Sequence, residues 1–389
     1  MAKATHPHHP SASRATNPGN GVYSPNFFDK ATAFGGRLLS RIPVPVLRAL
    51  GTVRNKDGDL LDADVRASLL ALKLISSLDI VDVPPVHSRK IVEKEAFIAA
   101  GDVRVAHVHD TAIAGVGVRV YHHAEPEEDL GPRPVLIYVH GGGWVTGSLD
   151  SHDATCRSLC ADGRVTVVSV DYRMAPEHPF PTPLDDVYEV VTAVQDATPG
   201  GEVERVVGAP VDTSRLIIAG DSAGGNLAAA TCLKLRAEGR DQPVLQLLFV
   251  PVTDLANKSA SRLEFGDLGL YLTEEQISWY EHHYLGRGDT LGTSIDPTHP
   301  LVSPLLAEDL TGLAPAYIAV AGFDPLRDEG EAYAARLKEA GVPVNVVRHR
   351  GLVHPFINSV AVWRGSRKAM EQAVSAVSSA ISQVPSVQD

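Results

Sequence analysis

Hydrophobic and polar positions along this chain fall into two kinds of pattern. Val135-Leu136-Ile137-Tyr138-Val139, Leu216-Ile217-Ile218-Ala219 and Ala316-Tyr317-Ile318-Ala319-Val320-Ala321 are short, continuous apolar runs. Runs of this length with turn residues beside them predict strands buried on both faces. A fourth, Val342-Pro343-Val344-Asn345-Val346-Val347, has proline near its start, which the first or edge position of a strand tolerates. Helical spacing appears elsewhere. Val65, Leu69, Leu72 and Ile75 share one face of a helix predicted over Ala63 to Leu78. Phe34 to Leu50 is apolar with basic punctuation, interrupted by Pro43 and Pro45, and Asn226-Leu227-Ala228-Ala229-Ala230 is a helix-forming run. Thr273 and Gln276 form a capping-box pattern ahead of Ile277, Trp279, Tyr280 and Tyr284. Strand and helix alternate through the middle and end of the chain, which predicts the α/β class: a mostly parallel sheet with helices on both faces.

Two glycine-bearing motifs end two of the strand runs. Gly220-Asp221-Ser222-Ala223-Gly224-Gly225 lies between Leu216–Ala219 and the helical run from Asn226. A strand, a sharp turn at serine and an immediate helix describe a nucleophile elbow, with Ser222 at a helix N-terminus where negative charge is favoured. His140-Gly141-Gly142-Gly143-Trp144 follows the strand at 135–139. Glycines there free backbone N–H groups to face a carbonyl oxygen, so Gly142, Gly143 and Ala223 are the expected oxyanion-hole donors. His140 is expected to be a structural hydrogen-bonding residue.

A serine nucleophile needs a base, and the base needs a carboxylate to orient it, in the chain order Ser, Asp or Glu, His. Downstream of Ser222 stand His282, His283, His299, His349 and His354. The first pair falls in the Thr273 helix and His299 precedes Pro300 in a loop. His349 is at or just past the end of the last strand run. His354 lies in the loop between that strand and a C-terminal helix and is the expected base. Asp324 is the first acid beyond the 316–321 strand and the expected carboxylate. Asp328 and Glu329 fall in the first turn of the next helix, where acids are ordinarily stabilising. A neutral imidazole base implies activity that rises with pH through roughly 6 to 7.

These residues resemble those of the hormone-sensitive-lipase-like carboxylesterases, the bacterial family IV of the α/β-hydrolase superfamily. The oxyanion loop and the elbow match that group's signatures. So do Asp171-Tyr172-Arg173-Met174-Ala175-Pro176-Glu177-His178-Pro179-Phe180-Pro181 and Asp324-Pro325-Leu326-Arg327-Asp328-Glu329. The resemblance runs from about Asp59 to the last helix. It implies an α/β-hydrolase fold with a helical cap, and hydrolysis of small-molecule esters without metal or organic cofactor. One departure is His354-Pro355-Phe356, where the group usually reads His-Gly-Phe. Another is an oxyanion loop arriving some fifty residues late, with the excess at the N-terminus. The expected organisation is a disordered tail over 1–24, N-terminal cap helices over 25–100, and a catalytic domain over 101–389 with a cap insertion near 255–300. Trp144, Trp279 and Tyr280 are the candidate pocket residues. An amidase or deacetylase using the same groups, and a non-catalytic small-ligand binder, are the competing readings.

Composition adds bounds. The 389 residues, 44% hydrophobic, can bury one large core with an appendage. Net charge of −12 argues against nucleic acid and against a membrane surface held by basic residues. No apolar segment is long enough to span a bilayer. Residues 1–21 lack the apolar centre of a secretory signal, and His6, His8 and His9 there could bind a metal only adventitiously. Three cysteines give no disulfide framework, which suits a reducing cytoplasm. A homo-oligomer remains open.

Overall fold

The protein is described by a computed structural model over residues 23–75, 79–124, 131–286 and 295–384. The tail expected over 1–24 lies, up to residue 22, outside the described residues. Among these residues eight strands form one sheet: β1 (His107–Ile113), β2 (Val116–His122), β3 (Arg133–Val139), β4 (Thr166–Asp171), β5 (Val211–Asp221), β6 (Leu245–Phe249), β7 (Ala316–Phe323) and β8 (Val344–Val353). Their spatial order is β1-β2-β4-β3-β5-β6-β7-β8. β2 is antiparallel to both β1 and β4, and every later pair is parallel. The helices are α1 (Phe27–Leu39), α2 (Val44–Arg48), α3 (Ala63–Ile75), α4 (Pro85–Ala99), α5 (Asp153–Gly163) and α6 (Thr182–Gln195). There follow α7 (Glu202–Val207), α8 (Ala223–Ala237), α9 (Ala260–Phe265), α10 (Glu274–Tyr284), α11 (Arg327–Glu339) and α12 (Arg364–Gln383).

The continuous apolar runs are explained by helices on both faces of the sheet. Along β3, Val135, Ile137 and Val139 enter one core with α6, α8 and α11. Leu136 and Tyr138 enter the other, with α5, α12 and the inner face of α3. All five are fully buried, so no position on the strand is left to be polar. Cys156, Cys160 and Cys232 are free and buried.

Parallel register aligns the strand ends that matter. Val139 pairs with Gly220, Asp221 with Phe249, and Phe323 with Val353. The connections that leave β3, β5, β7 and β8 therefore start nearly level along one edge, where ligands bind in open α/β sheets. Helices α3 and α4 and the 260–284 segment lie over that edge. Arg364 Nη2 ties the α1–α2 turn down by donating to the Ser40 and Ile42 carbonyls at 2.5 and 2.7 Å. Residues 295–306, by contrast, return to the core: Val302 is fully buried, and its carbonyl accepts from Asn226 Nδ2. No helix among the described residues is long and apolar enough to cross a membrane.

Candidate active site

Ser222 directly follows β5 and caps α8 with φ +54° and ψ −119°. A side chain rarely adopts that backbone, at a cost of about 1–3 kcal/mol, and it persists here because the surroundings fix it. The Ser222 N–H donates to the Phe249 carbonyl at 2.8 Å, and the Asn226 N–H bonds back to the Ser222 carbonyl. Gly224 lets the helix start against β3, since a Cβ there would overlap the Val139 carbonyl. Ser222 Oγ lies 2.9 Å from His354 Nε2, and His354 Nδ1 lies 2.9 Å from Asp324 Oδ2. Asp324 is fully buried, and its Oδ1 accepts from the Leu326 N–H. Asp324 and His354 each directly follow a residue of the Phe323–Val353 pair, so the strand register brings them together. His349 lies inside β8, which runs six residues beyond the expected strand end. Its ring packs on Phe356, and burial lowers its pKa to about 4. His282 and His283 lie on α10.

Gly142 and Gly143 line a cavity beside Ser222. No hydrogen bond among the described residues takes up the N–H of Gly142, Gly143 or Ala223. Gly143 has φ +59°, and a Cβ there would overlap the Tyr280 ring, so the position requires glycine on two counts. His140 is buried, stacks on Tyr172 with centroids 4.3 Å apart, and is held neutral by burial, with its pKa lowered to about 3. That is a structural role.

Asp221, which no local sequence pattern marks, joins the two motifs. Its Oδ1 accepts from the Gly141 N–H at 3.0 Å and from Tyr138 Oη at 2.8 Å. Its Oδ2 meets His152 Nε2 at 3.1 Å and Asn358 Nδ2 at 3.2 Å. Burial pushes this carboxyl up, but His152 and these hydrogen bonds outweigh it and hold the pKa well below the usual range. Arg89 on α4 is likewise buried. It donates to the Val145 and Ala175 carbonyls and pairs with Glu177 at 2.6 Å, tying the covering helices to the oxyanion loop.

The cavity measures about 480 Å³, within the range of small-molecule sites. Ser222, His354 and the glycines form its floor, and Leu69, Leu72, Ile91, Val92, Ile277 and Tyr280 give apolar walls. Trp144 also lines it, though its ring is stacked on Tyr284 at 4.0 Å and 1% exposed. Trp279 does not line it. That ring sits one helical step away from Tyr280, edge-on to His283 and against the Ile80, Val145 and Ala175 cluster.

A family model for the alpha/beta hydrolase fold matches residues 136–358. The carboxylic ester hydrolase LipN of Mycobacterium tuberculosis is 40% identical over 360 residues, covering 90% of this chain and 92% of its own. The carboxylesterase NlhH of the same organism is 36% identical, covering 69% and 80%. The chain belongs to the hormone-sensitive-lipase-like carboxylesterases. Among solved structures, an ester hydrolase from the Lake Arreo metagenome superposes with TM-score 0.74 at 37% identity. It covers 82% of this chain and 98% of that one. The hyperthermophilic esterase of Pyrobaculum calidifontis has the same TM-score and coverage at 34% identity. The α/β-hydrolase fold and its placement among ester hydrolases thus stand on sequence and structure together.

One buried acid of the family stretch 324–329 departs from its expected role. The first-turn position predicts an ordinary, dipole-stabilising acid at Glu329. It is buried, and its Oε1 accepts from the Thr253 N–H at 2.7 Å, fixing the loop after β6. Its Oε2 meets no donor, and burial raises the pKa to about 8. A carboxyl raised in the folded state binds its proton there at pH values where the unfolded chain has lost it. This group's contribution to stability therefore falls as pH rises from about 4.5 towards 8. Urea midpoints of Glu329→Gln across that window are expected to fall less steeply with pH than those of the unaltered protein. Parallel pH slopes would contradict this.

Proposed function

We propose that the protein hydrolyses soluble carboxylic esters of short to medium acyl chain, about C2 to C8, through Ser222, His354 and Asp324. The observation that carries this reading is the unbroken hydrogen-bonded chain from Asp324 through His354 to Ser222, at the floor of an apolar-walled cavity. His354 takes the Ser222 proton as Oγ attacks the carbonyl carbon. The tetrahedral oxyanion accepts hydrogen bonds from the N–H groups of Gly142, Gly143 and Ala223, each worth about 3 kcal/mol. Collapse breaks the ester C–O bond, and the proton on His354 passes to the departing alcohol. Water then gives a proton to His354 and attacks the acyl carbon. A second collapse releases the acid and returns the proton to Ser222. Asp324 holds the imidazole with Nδ1–H towards its carboxylate, which leaves Nε2 free to accept.

Helices α3, α4 and α10 act in this reading as a cap over an acyl pocket of limited depth. Each methylene buried against such walls is worth about 0.8 kcal/mol, or roughly fourfold in kcat/KM, until the pocket is full. Across p-nitrophenyl esters from acetate to palmitate, kcat/KM is expected to peak between C4 and C8 and then fall. A peak at C14 or longer, or a jump in rate above the substrate's micellar threshold, would overturn the chain-length assignment. Competing ester and amide substrates of one acyl group separate hydrolysis of esters from that of amides, and the ester is expected to dominate.

A further inference from the structure

The N-terminal helices carry an apolar surface that neither the core nor the cavity uses. On α1, Phe27, Phe28 and Phe34 are 80%, 77% and 65% exposed. No other phenylalanine among the described residues is so exposed. Phe27, Phe34 and Leu38 recur at i, i+7 and i+11, so they stand in line along the helix, while Asp29 and Ala33 are buried on its other side. Val46 on α2 and Leu50 just beyond it continue the exposed apolar character. Patches of this kind mark interaction surfaces.

Charge indicates what covers it. The chain carries a net charge of −12, yet residues 23–50 hold four basic residues and a single carboxylate, Asp29. Asp29 is turned inward, accepting from Tyr23 Oη at 2.7 Å. Lys30, Arg41 and Arg48 are exposed and make no ion pair among the described residues. The face offered to solvent is thus aromatic and cationic on a protein that is otherwise acidic, so the expectation drawn from net charge, against a membrane surface held by basic residues, does not hold for this face. A two-fold contact between copies would set this cationic face against itself. Residues 1–22 hold only Met1 and Val22 as larger apolar side chains, too little to cover three phenylalanines. A bilayer surface with anionic headgroups supplies an apolar phase for the rings and phosphates for the cations.

We propose that the exposed face of α1 and α2 docks this enzyme on anionic phospholipid surfaces, without spanning them. The full-length protein is sedimented with vesicles of phosphatidylcholine alone and of phosphatidylcholine with phosphatidylglycerol. Binding is expected on the second, to be weak on the first, and to fall as salt screens the cations. Phe27→Ser with Phe34→Ser, and separately Lys30→Gln with Arg41→Gln and Arg48→Gln, are each expected to weaken binding by more than about tenfold. Both variants should keep unaltered turnover of a soluble ester, because none of these residues lines the cavity. Three results would overturn the proposal: no binding, equal binding to both vesicles, or binding that survives both variants. A vesicle-free dimer that the phenylalanine variant dissolves would identify a second copy as the occupant instead.

Discussion

Ser222→Ala is expected to lower ester turnover by something on the order of 10⁶, the loss seen when a serine hydrolase is deprived of its nucleophile. Nothing in the oxyanion loop or cavity changes in that variant, so substrate binding should survive. The fold should survive too. Among the described residues the only side-chain partner of Ser222 Oγ is His354 Nε2, and the elbow is held by backbone hydrogen bonds that alanine retains. The φ of +54° is no worse for alanine than for serine, since both carry a Cβ. Turnover of p-nitrophenyl butyrate by purified variant and parent, with circular dichroism to establish folding, checks this. Undiminished turnover by a folded variant would remove Ser222 from the mechanism.

Asp324→Asn is expected to cost about 10⁴ in kcat with the fold retained. The asparagine carbonyl can still accept from the Leu326 N–H, which keeps the loop. Its amide group would then face His354 Nδ1. Nδ1 would have to accept rather than donate, so the ring proton would move to Nε2, which could no longer take the serine proton. Asp328 provides the control. Its carboxylate accepts from the Ser261 N–H and from Arg327 Nε, so it serves the α9–α11 contact rather than the base. Asp328→Asn is expected to lower stability and change kcat by no more than a few-fold. A larger kcat loss at Asp328 than at Asp324 would reverse the choice of carboxylate.

The parts of the molecule legible in the sequence are those where local pattern and global fold agree. β3, β5 and β7 read as strands because both faces are covered, which leaves a solid apolar run. The proposed triad could be picked out because Ser222 and Asp324 stand just beyond strand runs, His354 lies in the loop between the last strand run and the C-terminal helix, and the order of the three is fixed. The β1–β2 hairpin was missed. Its turn, Ala114-Gly115, has both residues at positive φ, but alanine is not the asparagine or aspartate that signals such a turn. β1 also lies at the sheet edge, where every position but Ile113 is exposed or half-buried, so its pattern is weak. The end of β8 was placed too early because Arg348, His349, Arg350 and Gly351 interrupt the apolar run while the backbone ladder continues.

Long-range polar contacts were the least legible. Asp221 meets Tyr138, His152 and Asn358, all more than sixty residues away, so no local pattern marks it. The one available signal was an acid placed inside an otherwise glycine- and alanine-rich turn that is buried, where a charge needs partners. Trp279 was misplaced for a similar reason. A capping box fixes where α10 begins, but neighbouring residues on a helix point about 100° apart, and of Trp279 and Tyr280 it is Tyr280 that turns towards the cavity.

Covalent labelling tests the central claim most directly. An organophosphate offered to the protein should transfer one phosphoryl group, and peptide mass mapping should place it on Ser222. The reaction should be lost in Ser222→Ala and strongly slowed in Asp324→Asn. A folded, active protein that gains no adduct, or gains it at another residue, would contradict the account.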